Sequence, residues 1–181
     1  MSNWSRWLPA LCCGLLSGCT KSNRAPEAAP SAPSTWVVRP DGLGPIRIGA
    51  TVAELEAALG RRPPGADSLD PRCDYLRDPA RVPGVWFMVI QGRVVRLDVD
   101  STGPVTTEGV RVGDGTEKVQ RLYAPRVVVT PHKYTDGEYL TVTPALPADS
   151  LYRMIFETDS GIITRYRVGR LPEVGWVESC S

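Results

Sequence analysis

Five segments of this chain predict β-strands, because hydrophobic and polar residues alternate with a period of two in four of them and the first is a continuous apolar run. Those segments are residues 85–90, 93–99, 138–143, 151–158 and 161–168. Gln91 and Gly92 connect the first two, and the tripeptide Asp-Ser-Gly connects the last two. Both connections suit tight turns, so we expect two antiparallel hairpins.

A helical spacing of apolar residues follows the first glycine-rich turn of the chain. Leu55 and Leu59 lie four residues apart and predict one buried helical face. Thr51 and Glu54 have the spacing of a capping box, and Gly60 is suited to the C-cap. The pattern therefore predicts a short helix bounded on both sides by its own signals.

A second apolar stripe, formed by Val119, Leu122 and Tyr123, predicts another helix further along the chain. Asp114 or Thr116 is the expected N-cap, because either side chain can accept a backbone N–H. Helices and antiparallel strands in this order predict an α+β fold with the helices packed on one face of the sheet.

The chain also repeats itself at an offset of 64 residues. Residues 45–60 align with 109–124, 73–77 with 137–141 and, after a small insertion, 93–99 with 162–168. We therefore expect two tandem helix-plus-antiparallel-meander repeats, at about residues 42–105 and 106–170, followed by a C-terminal closing tail.

The amino-terminal residues have the pattern of an export signal. Arg6 precedes an apolar run, WLPALCCGLLSG, that is too short to span a bilayer. The residues Leu-Ser-Gly-Cys at 16–19 resemble the lipobox of bacterial lipoproteins. That resemblance implies removal of residues 1–18 as a lipoprotein signal peptide, a diacylglycerol on the Cys19 sulfur and acylation of the new amino terminus, with palmitate as the expected type of chain. The alternative is an ordinary secretory signal that happens to contain cysteines.

A proline-containing stretch follows the lipobox. Residues 20–34 hold three prolines among alanines and serines, so 19–35 is predicted to be a lipidated, flexible tether. In lipoproteins of this kind the residue after the lipidated cysteine influences sorting, and here it is Thr20. The resemblance implies a lipid anchor in the bacterial outer membrane, on its periplasmic face, with the α+β domain in residues 36–181.

The cysteines outside the signal are then easily counted. Cys12 and Cys13 leave with the signal and Cys19 carries lipid, so Cys73 and Cys180 remain in a compartment that permits disulfides. We expect them to pair, and two separate thiols are the alternative.

The opening of the first repeat carries a family resemblance. Residues 44–60, GPIRIGATVAELEAALG, resemble the opening of the small outer-membrane assembly lipoproteins. The doubled layout of about residues 42–168 is similar to the tandem domain of the β-lactamase inhibitor proteins. Those families begin each unit with two helices, whereas this sequence predicts one. The resemblance to the inhibitors implies inhibition of a secreted hydrolase as one form of protein binding.

Charge and composition exclude some classes of function. The chain has 21 basic and 20 acidic side chains, and Arg6 is the only charged residue among the first 18. The mature chain is therefore neutral, which provides no electrostatic footprint for binding nucleic acid. A hydrophobic content of 42% is enough to build a buried core.

His132 is the only histidine, so any mechanism that depends on a histidine must use it. A hydrolase could use it with Asp136 and a serine, but the Gly-x-Ser-x-Gly turn is missing. A loop histidine beside Pro131 is the interpretation that the sequence favours. One histidine and two paired cysteines leave too few ligands for a transition-metal site, so neither a metal nor a cofactor is predicted.

Residues 98–103, Asp-Val-Asp-Ser-Thr-Gly, begin like an EF-hand calcium loop with Asp98 and Asp100 at ligand positions. The twelfth position is Gly109, where a bidentate glutamate is required. The sequence therefore favours a turn with solvated carboxylates over a calcium site.

Arginine and aromatic side chains gather on one face of the predicted sheet. If the helices cover the apolar face, the opposite face displays Arg96, Arg153, Arg165 and Arg167 with Tyr139 and Trp86. The same alternation places Ile163 on the side of Arg165 and Arg167. Arginine beside aromatic residues is typical of interface cores, so these residues are the predicted partner site. A solvated sheet face is the alternative.

These features together predict an envelope lipoprotein that acts as a non-catalytic protein-binding or scaffold module facing the periplasm. Its partner would be an envelope or secreted protein of unknown identity. Inhibition of a secreted hydrolase is one alternative, a hydrolase dependent on His132 is another, and purely structural support of the envelope is a third.

Overall fold

The structure is a computed structural model that describes residues 36–100 and 103–180. This part of the chain has an α+β fold with two helices and two antiparallel sheets. The signal peptide, the lipidated Cys19 and the tether predicted for residues 1–35 lie outside the described residues. Within the described ranges, no helix has both the length and the apolar content needed to cross a membrane.

The smaller sheet precedes the first helix. Its three strands are β1 (Val38–Arg39), β2 (Gly42–Leu43) and β3 (Ile46–Arg47), and α1 (Val52–Leu59) follows. The larger sheet and the second helix comprise β4 (Asp74–Leu76), β5 (Val85–Ile90), β6 (Arg93–Val99), α2 (Thr116–Tyr123), β7 (Val127–Pro131), β8 (Glu138–Val142), β9 (Tyr152–Asp159) and β10 (Ile162–Arg170). Short 3-10 helices lie at Pro147–Asp149 and Glu173–Gly175.

The seven strands of the larger sheet are ordered β4-β5-β6-β10-β9-β8-β7, and all neighbours are antiparallel. The strands β6 and β10 therefore meet at the centre, and β4 and β7 form the two edges. The predicted hairpins are both present. Gln91 and Gly92 have φ values of 49° and 71°, and Ser160 and Gly161 have values of 49° and 78°. Positive φ at both central residues is the requirement of the tight hairpin turn that matches strand twist.

Helix α1 begins and ends where its sequence signals lie. The Thr51 hydroxyl accepts a hydrogen bond from the Glu54 N–H at 3.2 Å, and the Glu54 carboxylate accepts one from the Thr51 N–H at 2.7 Å. This reciprocal pair confirms the capping box. Gly60 has φ of 73°, which confirms it as the left-handed C-cap.

Helix α2 begins differently from the prediction. Its N-cap is Gly115, which makes no side-chain cap, and Thr116 is already the first helical residue. The Asp114 carboxylate instead accepts the Arg111 N–H at 2.8 Å and pairs with Lys118 at 2.8 Å. The expectation that Asp114 or Thr116 caps this helix is therefore wrong, because the helix starts one residue away from either cap position.

Both helices pack on one face of the larger sheet. The shared core contains residues of both helices and of the central strands: Leu55, Leu59, Val119, Tyr123, Phe87, Leu97, Phe156 and Tyr166. Leu122, which the sequence placed in the apolar stripe of α2, is 39% exposed. We refer to the opposite face of the larger sheet as the far face.

Two β-bulges change which side chains reach the far face. The β9–β10 ladder shifts register between Ile163 and Arg165, so Thr164 is an extra residue. Ile163 is consequently fully buried in the core on the helix side, while Arg165 and Arg167 lie on the far face. The expectation that Ile163 shares their side is wrong, because uninterrupted alternation does not hold across a bulge.

A second bulge lies in β6. Met88 pairs with Arg96 and Val89 pairs with Val94, which leaves Val95 as the extra residue. Val94 is fully buried in the core, and Arg96 points to the far face.

Candidate functional site

The C-terminal segment, residues 171–180, lies across part of the far face. Arg96 donates from Nη1 to the carbonyl of Trp176 at 2.6 Å and to that of Glu173 at 3.2 Å. Arg167 donates from Nε to the carbonyl of Val174 at 2.7 Å. The two arginines are only 2% and 3% exposed. Buried guanidinium groups thus satisfy their donors on the main chain of this segment, which we call the tail.

A disulfide closes the tail onto the first edge of the sheet. Cys73, which precedes β4, is bonded to Cys180 with an S–S distance of 2.00 Å and a Cα–Cα distance of 5.4 Å. The two cysteines that the sequence pairs therefore lie at disulfide distance, with a sequence separation of 107 residues. The tail is attached at both ends, through β10 at one and through the disulfide at the other.

The predicted display of arginines on an open face is wrong for part of the set. Arg96, Arg167 and Tyr139 are all buried, because the tail fills the space in front of them. Tyr139 packs with Ile155 and the fully buried Val174 in a small apolar cluster on the far face.

Arg153 is separate from the other arginines, since its Nη1 donates to the carbonyls of Ser150 and Tyr152, both at 2.6 Å. Arg153 is not part of the lining of the open cleft on the far face.

Glu157 is the centre of a buried charge cluster beside the tail. Its carboxylate accepts from Arg165 Nε at 2.6 Å and from Arg167 Nη1. Burial alone would raise the pKa of Glu157, but the charges of Arg167 and Arg165 and their hydrogen bonds lower it below its usual value. The carboxylate is therefore ionised at neutral pH and anchors both arginines.

His132 faces the same carboxylate. Its Nδ1 accepts the backbone N–H groups of Tyr134 and Thr135 at 3.1 and 3.2 Å, which assigns the ring proton to Nε2. Nε2 lies 3.5 Å from Glu157 Oε2, and the ring stacks on Tyr139 with centroids 4.4 Å apart. The side chain is 7% exposed.

Asp136, the residue that the sequence pairs with His132 in a hydrolase, is exposed and makes no hydrogen bond with it in the described ranges. Because both ring nitrogens of His132 are directed at groups of the protein itself, the geometry gives this residue a structural role in the loop after β7.

An open cleft lies on the half of the far face that the tail leaves uncovered. Its volume is about 390 Å³, and its lining consists of Tyr75, Trp86, Asp98, Val99, Asp100, Arg165 and Ser179. Strands β4, β5, β6 and β10 supply most of this set, and the end of the tail supplies Ser179. Two predicted partner residues, Trp86 and Arg165, are thus brought together here.

Hydrogen bonds hold the aromatic walls of the cleft in place. The Tyr75 hydroxyl donates to Asp98 Oδ2 at 2.9 Å, and the Trp86 indole donates from Nε1 to Asp100 Oδ2 at 3.3 Å. The two rings meet edge to face, with centroids 6.3 Å apart and an interplanar angle of 87°. Burial and the nearby Asp98 charge raise the pKa of Tyr75 to about 12, so its hydroxyl keeps its proton at neutral pH.

Charges of both signs surround these rings. Arg96 pairs with Asp98 through Nη2 at 2.5 Å, which neutralises that carboxylate. Arg77 lies over the Trp86 ring, with its guanidinium carbon 4.5 Å from the centroid. The Arg165 side chain is 60% exposed although its Nε is bound to Glu157. The cleft therefore offers aromatic surface, guanidinium donors and the carboxylate of Asp100.

Both acidic residues of the calcium-like motif bind other side chains of the protein. Asp98 is engaged by Arg96 and by Tyr75, and Asp100 accepts the indole of Trp86. Among the residues that the structure describes, no group of three or more His, Cys, Asp or Glu side chains is arranged to hold a metal ion.

Tyr75 and Ser179 are cleft residues that the sequence does not predict. Tyr75 stands in the short repeat-related segment 73–77, and the sequence pattern favours its counterpart in the alignment, Tyr139, instead. Ser179 has no local signal, because the disulfide brings it to the cleft from the opposite end of the chain.

Comparisons with known proteins provide no family for this chain. No family model matches it, and no curated protein matches it. A solved structure with a similar arrangement is a DUF4309 family protein, YjgB, from Bacillus subtilis, which is 16% identical. The match covers 75% of this chain and 88% of that chain with a TM-score of 0.47, a level of similarity that says nothing about function.

Proposed function

We propose that this chain is an envelope lipoprotein, anchored through Cys19 in the outer membrane and facing the periplasm. Its folded part is then a non-catalytic module that binds a protein partner. The observation that carries this proposal is the open cleft of Tyr75, Trp86, Asp100 and Arg165. Tryptophan, tyrosine and arginine are the residue types that most often contribute the largest share of the binding energy in protein interfaces.

The rigidity of the cleft supports binding in preference to chemistry. Both rings are held by hydrogen bonds to carboxylates, so little side-chain entropy remains to be lost on association. The contacts of His132 disfavour a hydrolase that depends on it, because its two nitrogens face the protein's own groups and its side chain is nearly buried.

We further propose that the fold consists of two tandem helix-plus-meander units. Equivalent backbone hydrogen bonds support this, with the turn before each helix bound to the hairpin of its own unit. In the first equivalent pair, Gly49 N–H donates to Val94 O (2.6 Å) and Gly113 N–H donates to Ile163 O (2.8 Å). In the second pair, Val52 N–H donates to Gly92 O (3.0 Å) and Thr116 N–H donates to Gly161 O (2.9 Å). The bulges at Val95 and Thr164 occupy matching positions after the two hairpin turns.

If the fold consists of two units, both of them contribute residues to the cleft. Tyr75, Trp86 and Asp98 come from the first unit, and Arg165 comes from the second across the central β6–β10 pairing. A single unit would therefore lack the Arg165 guanidinium of the site.

Site-specific photo-crosslinking in the native envelope tests the binding proposal. A photo-reactive residue in place of Arg77, beside Trp86, should form an adduct with one protein, and the same residue in place of the exposed Arg121 on α2 should not. Combining the first probe with Trp86→Ala and Arg165→Ala should abolish the adduct. An adduct that persists in this combined variant would remove the cleft as the contact site.

The anchoring proposal has its own measurement. Replacing Cys19 with serine should release the chain from the membrane fraction and prevent incorporation of labelled palmitate. A Cys19→Ser chain that stays with the membrane fraction would contradict lipid anchoring through this residue.

A further inference from the structure

The tail and the open cleft lie at corresponding positions on the two halves of the far face. Three residue pairs correspond by strand position: Tyr75 with Tyr139, Trp86 with Ile155, and Asp98 with Arg167. Trp86 pairs with Asp98 across one hairpin as Ile155 pairs with Arg167 across the other. One half is filled by the tail, and in the described part of the chain the other half receives only Ser179 from it.

On the covered half, the tail supplies the fully buried side chain of Val174, the partly buried side chain of Val177 and several carbonyl groups. Val174 is fully buried against Tyr139 and Ile155, and its carbonyl accepts from Arg167 at 2.7 Å. Arg96 binds two further carbonyls of the same short turn. A turn of a few residues around one fully buried apolar anchor is therefore what this surface accommodates.

From this correspondence we infer that the open cleft binds a turn-forming segment of the partner protein, with one apolar side chain next to a cationic one. The inference rests on the proposed binding function and names the chemistry of the occupant. The apolar side chain would lie against Tyr75 and Trp86, as Val174 lies against Tyr139 and Ile155.

The charges of the cleft determine which polar groups the segment must carry. Arg165 corresponds in position to Arg96, and its exposed guanidinium can bind carbonyls of the turn. Asp98 occupies the position that Arg167 occupies in the covered half, so the sign of the charge at that position is reversed. Asp100 has no ion pair with any described residue, and its carboxylate lies beside the Trp86 indole. A lysine or arginine of the partner is the group that complements it.

Short peptides that copy the tail sequence provide the probes. The sequence of residues 171–177 is Leu-Pro-Glu-Val-Gly-Trp-Val, and the test peptide Leu-Pro-Lys-Val-Gly-Trp-Val replaces its acidic residue with a cationic one. A third peptide, Leu-Pro-Lys-Gly-Gly-Trp-Val, lacks the apolar anchor. Binding to the full-length protein is followed by NMR through the indole N–H resonance of Trp86, which the variant Trp86→Phe identifies.

The lysine peptide should shift the Trp86 resonance and bind about tenfold more tightly than the tail's own sequence, a ratio that corresponds to about 1.4 kcal/mol. The peptide without valine should bind about tenfold more weakly than the lysine peptide. Arg165→Gln should weaken binding by a similar factor, whereas Arg153→Gln, an arginine outside the cleft, should leave it unchanged. Asp100→Asn provides a second variant in case Arg165→Gln disturbs folding: it keeps the Trp86 resonance, and it should weaken binding of the lysine peptide about tenfold.

Two results would overturn the inference. Equal or tighter binding of the tail's own sequence would make the tail of a second copy the occupant, and a Trp86 resonance that no peptide moves would exclude a turn segment. The crosslinking experiment in the envelope tests the binding function separately. If a partner crosslinks at the cleft but no peptide binds, only the chemistry assigned here to the bound segment is refuted.

Discussion

Asp98 and Arg167 lie directly opposite each other on the two central strands, yet their side chains serve different halves of the far face. Asp98 binds Arg96 and belongs to the open cleft. Arg167 binds Glu157 and the carbonyl of Val174 beneath the tail. The boundary between an accessible site and a covered one therefore runs between two residues of the same ladder pair.

Glu157→Gln should reduce the acid sensitivity of the fold. The pKa of Glu157 is lowered on folding, so its stabilising contribution is present above the usual value of 4.5 and is lost as pH falls through the lowered value. Glutamine does not titrate and leaves Arg167 without its buried partner, which should cost about 3 kcal/mol at neutral pH. Urea denaturation from neutral to acidic pH measures both effects. Parallel stability curves for the two proteins would contradict the assigned shift.

Removing the disulfide should destabilise the fold and release the tail. Cys73 and Cys180 close a long loop, for which chain entropy predicts a loss of about 4 kcal/mol in the free energy of unfolding. In the double serine variant the N–H groups of Gly175 and Trp176, now bonded within the tail, should exchange faster with solvent. Unchanged exchange at these two amides would mean that the arginine contacts alone hold the tail.

The two helix starts should respond differently to alanine. Thr51→Ala removes the cap of α1 and should lower the free energy of unfolding by about 1 kcal/mol. Thr116→Ala is the matched control, since Thr116 is the first helical residue of α2 and caps nothing, so its effect should stay below about 0.5 kcal/mol. Thermal or urea denaturation measures the free energy of unfolding of both variants. An equal decrease in the two variants would contradict the cap geometry.

Neighbouring proline substitutions in edge strand β7 should differ sharply. Thr143 donates its N–H to Arg126 O, and His132 donates its N–H to Gly137 O. Hydrogen-bonded pairs alternate along an antiparallel ladder, so within β7 the even-numbered residues bond to β8. Val128→Pro would remove a ladder bond and should cost about 3 kcal/mol, whereas the N–H of Val129 points away from the sheet.

Val129→Pro should accordingly be tolerated within about 1 kcal/mol. Hydrogen exchange supplies the independent check, because the Val129 amide should exchange much faster than the Val128 amide in the unmodified protein. If the two amides exchanged equally slowly, the assignment of the Val129 N–H to the open edge of the sheet would be wrong.

Much of the secondary structure follows from signals contained in short stretches of sequence. The turn at Gln91–Gly92 requires positive φ, and the Thr51–Glu54 pair satisfies two backbone donors, so both can be placed without knowledge of the remainder. Strand β7 is not predicted by its sequence, because its run of three valines is shorter than the apolar runs that indicate a strand.

The faces of the central strands are harder to assign than their positions. Val95 and Thr164 are extra residues that invert the alternation, and nothing in the side-chain pattern distinguishes a bulge from a regular strand. The alternation therefore places Ile163 on the wrong side, since its burial depends on pairing with residues of another strand.

The sequence by itself determined the α+β class, the hairpins, the helix caps of α1 and the pairing partners among the cysteines. Only the tertiary structure decided that Arg96, Arg167 and Tyr139 are covered while Trp86 and Arg165 remain accessible. The reason is physical. Turns and caps are satisfied by neighbours along the chain, whereas exposure of a sheet face depends on where a distant segment docks, and here the tail docks through backbone carbonyls that carry no side-chain signature.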